Sequence, residues 1–120
     1  MLLIDSNVIL RYLLGDHETM SRQAREAIES GAYTTPEVLA EVVYVLKGVY
    51  QAERTEISEW LVALLDEVMI ENKQSVLYAL KAYAETSLDF VDCLLIGYNR
   101  ILGRKVFSFD KKLNRLLADE

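Results

Sequence analysis

Four short apolar segments punctuate a chain whose remaining patterns are mostly helical: Leu2–Asp5, Ala32–Thr34, Val68–Glu71 and Val106–Phe109. Each is too short for a helix, and each is followed or preceded by a helix signal. Strands of this kind, apolar throughout and separated by helical stretches, point to a parallel sheet covered on both faces. In open sheets of that class, ligands bind beyond the carboxyl ends of the strands. Asp5 and Asp110 stand at two such ends.

The helix signals are legible between the strands. A helix is expected over Ser6–Leu14, closed by Gly15, and another over Ser21–Ser30, stopped by Gly31. Thr35 is a good N-cap with Pro36 at the first helical position, and that helix runs to about Gly48. Further helices are expected over Thr55–Leu65 with Thr55 as cap, over Ser75–Glu85, and from Asp89 to Leu102 with Gly103 ending it. Asp110 opens the last one. One proline, no glycine- or serine-rich linker and no repeat mark the 120 residues as a single domain, 1–120. A chain of that length hides roughly two-thirds of its unfolded surface, enough for an ordinary core.

Four acids lie against apolar runs: Asp5 in LLIDSNVIL, Glu41 in VLAEVVYVL, Asp92 in LDFVDCLLI and Asp110 in VFSFD. Charges beside core segments cost free energy unless paired or bound to a cation. Capping accounts for part of the pattern, since Asp5, Asp89 and Asp110 are all good N-caps and Asp92 suits a first helical turn. Glu41 lies beyond the first turn, among Val38, Leu39, Val42 and Val43, where capping does not explain it. A shared divalent metal is the simplest reason to gather such carboxylates.

The remaining composition narrows the chemistry. Cys93 and His17 are each the sole residue of their type, so there is no zinc site of cysteines and histidines and no histidine triad. A lone cysteine in an apolar stretch reads as buried packing in a reducing, cytoplasmic interior. No apolar run reaches the roughly 18 residues of a membrane span, and MLLID lacks a basic n-region. The net charge is −6, yet Tyr98–Ala118 holds Arg100, Arg104, Lys105, Lys111, Lys112 and Arg115 against Asp110 alone, 6 − 1 = +5, which leaves −6 − 5 = −11 elsewhere. A basic rim beside an acidic site follows. Most of the seven tyrosines, Tyr44, Tyr78 and Tyr83 among them, have apolar neighbours in helical stretches and read as packing rather than as base-stacking platforms.

Taken in order, DSNVILRYLL, TTPEVLAEVVYVL, DFVDCLLIGYNRILG and FSFDKKLNRL resemble the PIN domain, the family of small metal-dependent ribonucleases that includes VapC-type toxins. The likeness runs from Leu2 to about Leu116; the stretch 50–87 carries no motif. It implies a three-layer α/β/α fold around a parallel sheet of four or five strands. It matches Asp5, Glu41, Asp92 and Asp110 to the family's four acids, and Asp92 fits the third better than Asp89. Ser6 and Ser108 stand where threonine is common, and Asn7 matches a polar position; with Asp89 they form the expected supporting shell. The resemblance further implies Mg²⁺ or Mn²⁺, an RNA substrate, a homodimer and a small antitoxin whose segment occupies the site. Arg11, Arg100, Arg104 and Lys111 are the expected RNA contacts.

Two other classes compete. A phosphoacceptor receiver domain has this length and an acidic Mg²⁺ pocket, but it should show paired acids after its first strand. Here Asp5 is followed by Ser6, and TEISEWLVALLDE in the middle reads as helix. A non-catalytic PIN-like binding module, its aspartates serving only as caps, is the other.

Overall fold

A computed structural model describes residues 1–119. The chain gathers into two compact units, Met1–Glu71 and the residues from Asn72 on.

The first unit contains β1 (Leu2–Leu3), α1 (Ser6–Leu14), α2 (Glu18–Glu29), β2 (Ala32–Thr34), α3 (Pro36–Gly48), α4 (Arg54–Leu64) and β3 (Val68–Ile70). The strands form a parallel sheet in the order β1-β2-β3, with Leu3 opposite Tyr33 and Tyr33 opposite Met69. Pairing continues past β1: the Ile4 N–H donates to the Tyr33 carbonyl at 2.9 Å, and the buried Thr34 hydroxyl donates to the Ile4 carbonyl at 3.2 Å. The chain is therefore held extended up to Asp5, which turns it into α1. Helix α1 packs on α2 and α3.

Caps set most boundaries. Thr35 accepts from the Val38 N–H and Pro36 occupies the first position of α3; Gly15 closes α1 in the left-handed region. Two expectations change. The N-cap of α4 is Glu53, not Thr55, and its N–H donates to the Glu56 carboxylate at 3.2 Å, so the helix begins one position before Thr55. Helix α2 starts at Glu18 because His17 Nδ1 accepts from the Met20 N–H at 3.1 Å.

The second unit contains α5 (Lys73–Glu85), α6 (Phe90–Leu102) and α7 (Lys111–Ala118). Helices α5 and α6 form an antiparallel hairpin. Tyr83 and Phe90 meet edge-to-face near the connection, with centroids 6.0 Å apart. Farther along, the helices cross so closely that a Cβ on Gly97 would lie 2.4 Å from the Ser75 carbonyl oxygen.

The expected fourth strand, Val106–Phe109, is not one. Among the described residues the sheet has three strands rather than four or five, and 103–110 is irregular. Side chains from the flanking helices hold this segment. Asn99 donates to the Arg104 carbonyl and Asn114 to the Ser108 carbonyl, each at 2.8 Å. Such local side-chain bonds offer the backbone an alternative to a strand ladder. Phe107 and Phe109 lie on the surface, ring against ring at 5.2 Å.

Candidate metal centre

The site residues fall into two sets, one in each unit. In the first, Asp5 caps α1: its Oδ1 accepts from the Val8 N–H at 3.1 Å, which leaves the other oxygen for a second ligand. Ser6 follows it and is buried. Its hydroxyl donates to Glu41 Oε1 at 2.9 Å, linking α1 to α3 across 35 residues of sequence. Asn7 is exposed in the same turn.

Glu41 itself is not buried. Leu39, Val42, Val43 and Leu46 form the inner face of α3, while Glu37, Glu41 and Tyr44 share the outer one. The apolar neighbours in the sequence therefore lie on the other side of the helix. What is unusual about Glu41 is its bond to Ser6, which no spacing rule contains. Tyr44, expected to pack, is 80% exposed, whereas Tyr83 is buried as expected.

In the second unit, Asp110 caps α7, its Oδ1 accepting from the Leu113 N–H at 2.9 Å. Ser108 supports it through the backbone rather than through the carboxylate: the Asp110 N–H donates to the Ser108 hydroxyl at 2.9 Å. Asp89 occupies the N-cap position of α6, but its side chain makes no capping hydrogen bond. Asp92 lies one turn on and is partly buried. Burial, then the charge of Asp110, then that of Asp89, raise its pKa above the ordinary carboxylate value. Asp89 and Asp110 are thus close enough to Asp92 for their charges to oppose its ionisation.

The expected RNA contacts are less uniform. Arg100 directs its guanidinium to the carbonyls of Leu116, Leu117 and Asp119 and to the Asn99 side chain, so it caps the C-terminus of α7. Arg11 is paired with Asp16 at 3.1 Å. Arg104 lies over the Tyr98 ring, 5.8 Å from its centroid, and Lys111 is exposed at the start of α7.

The family model of the PIN domain matches residues 2–117. The chain belongs to the PIN domain family. Among curated proteins, a VapC ribonuclease of Aquifex aeolicus (strain VF5) is 30% identical over 124 residues, covering 97% of this chain and 92% of that protein. No solved structure matches. Membership in the PIN family disposes of the receiver-domain alternative.

The residues fit the divalent ion that a PIN domain implies. Every donor is an oxygen, the hard ligand set that Mg²⁺ and Mn²⁺ take. Among the described residues, Asp5 and Asp110 each use one carboxylate oxygen as a cap, and the charges acting on Asp92 are those of two other aspartates. Among the described residues no three acidic, histidine or cysteine side chains form a ready-made cage.

Proposed function

We propose that the protein is a divalent-metal-dependent endoribonuclease, with Asp5, Glu41, Asp92 and Asp110 as its catalytic and metal-binding carboxylates. The observation that carries this reading is Asp92, whose pKa is raised first by burial and then by the charges of Asp110 and Asp89 beside it. Membership in the PIN family and the likeness to a VapC ribonuclease support it.

A bound Mg²⁺ or Mn²⁺ would neutralise charge developing on the phosphate and lower the pKa of a bound water. Asp5, Glu41 and Asp92 would hold the ion. Asp110 completes the set and orients the attacking water. Attack of that water on phosphorus would form one P–O bond and break another, the departing sugar oxygen leaving as a hydroxyl whose proton balances the one the water loses. Ser6 fixes the rotamer of Glu41, Ser108 fixes the backbone at Asp110, and Asn7 and Asp89 flank the carboxylates. Arg11, Arg104 and Lys111 steer RNA phosphates; Arg100 would have to release the α7 carbonyls to join them.

The chain acts as the toxin of a toxin–antitoxin pair in the cytoplasm, as a single-domain homodimer held in check by a small antitoxin protein. No described helix is long and apolar enough to cross a membrane. An acidic centre with basic residues nearby suits an antitoxin arginine. The test is the Asp5→Asn protein. It is expected to keep its circular dichroism spectrum while losing Mg²⁺-dependent RNA cleavage and growth arrest on expression. Unchanged cleavage by that variant would remove the assignment.

A further inference from the structure

We propose that Tyr44 is a positioning residue that stacks an unpaired RNA base one helical turn from Glu41; this rests on the ribonuclease reading above. Residues three apart on a helix are surface neighbours, about 4.5 Å apart along the axis. Tyr44 therefore stands on the outer face of α3 beside the carboxylate that Ser6 holds at 2.9 Å. Its ring is 80% exposed, and among the described residues its phenol has no hydrogen-bond partner. A ring left in water forgoes the stabilisation of burial, although α3 has an apolar face on which Leu39, Val42, Val43 and Leu46 are buried.

Phe107 and Phe109 are as exposed, but their rings engage each other. Lys47, exposed one turn beyond Tyr44, continues the row. Along α3 the order is thus a carboxylate for the ion, an aromatic face for a base and an ammonium group for a phosphate. Stacking tolerates any base, so Tyr44 sets the register of a single strand at the site rather than its sequence.

The probe is a fluorophore-labelled single-stranded oligoribonucleotide, selected from a random pool for cleavage by the wild-type protein. A single abasic residue is then stepped through the positions flanking the cut. Tyr44→Ala should raise KM about tenfold with kcat changed less than about twofold, the size of one base–aromatic stack. Tyr44→Phe and Tyr44→Trp should restore KM. An abasic residue at one flanking position should raise the wild-type KM similarly and erase the difference between wild type and Tyr44→Ala.

Anisotropy of the same oligomers on the Asp5→Asn protein, with and without Tyr44→Ala, reads the tenfold loss without cleavage. A wild-type KM in Tyr44→Ala overturns the proposal. So does a defect that persists on every abasic oligomer. Unchanged RNA kinetics with loss of binding to a protein partner would assign the ring to that interface instead. A wild-type protein that neither cuts nor binds RNA would remove the ribonuclease reading, and Tyr44 with it.

Discussion

The carboxylates of the two units are held by opposite means. Glu41 is stabilised by a donor, the Ser6 hydroxyl, which pins one of its oxygens in place. Asp92 is opposed by its surroundings, since burial and two aspartates all disfavour its charged form. The first arrangement fixes the orientation of a carboxylate, and the second disfavours the charge of one. A site made only of satisfied carboxylates would bind metal weakly, and one made only of mutually repelling carboxylates would lack a fixed orientation.

The largest effect expected from this contrast is on the chemistry. Asp92→Asn should lower the rate of RNA cleavage about a thousandfold or more, as removal of a reacting-centre group does, and isothermal titration should show weakened Mg²⁺ binding. If cleavage persists, Asp92 takes no part in the chemistry. Next is Ser6→Ala. Loss of the hydroxyl that orients Glu41 should cost roughly 10- to 100-fold in metal affinity or activity, with Ser6→Thr retaining most of it. Equal activity in Ser6→Ala would mean that the hydrogen bond only joins two helices.

A third test perturbs the scaffold under Asp89 and Asp92 rather than the acids. Gly97→Ala forces a methyl group against the Ser75 carbonyl. Overpacking costs about 1–3 kcal/mol, and the better helix propensity of alanine returns up to about 1 kcal/mol. A net loss of about 1–2 kcal/mol should lower the melting temperature by roughly 3–10 °C. An unchanged or higher value would show that α5 and α6 separate without penalty.

The smallest effect concerns protons. A carboxyl whose pKa is raised on folding takes up protons more readily in the folded state than in the unfolded one. Its contribution to stability therefore declines as pH rises through that pKa, and Mg²⁺ must displace its proton on the acid side. Mg²⁺ affinity should begin to fall at a higher pH than an ordinary aspartate dictates. Asp89→Asn should move that midpoint downward and raise the melting temperature of the metal-free protein near neutral pH by about 2 °C, the modest size expected of a solvent-screened interaction. A midpoint that does not move would place Asp89 outside the cluster.

Much of the scaffold could be read from local chemistry. Thr35 with Pro36, Gly15 and Gly103 mark helix ends because a cap depends on neighbours a few positions away. The cap of α4 is Glu53 rather than the expected Thr55, because the geometry of the turn decides it. Asp89 occupies the N-cap position of α6 that its residue type predicts, yet its side chain makes no capping hydrogen bond. Arg100 looked like a phosphate contact because its attraction to the α7 carbonyls joins residues 16 to 19 apart.

The chain alone thus determined the helices, the three strands that pair, and an oxygen-only set of acids with no histidine or cysteine alternative, because periodicity, capping and composition act over short range. Tertiary structure decided that Val106–Phe109 does not join the sheet, that Tyr44 faces water, that Ser6 grips Glu41, and that Asp92 is crowded by Asp89 and Asp110. Those outcomes depend on which surfaces and charges meet after distant segments pack, and pattern within one segment carries no information about that.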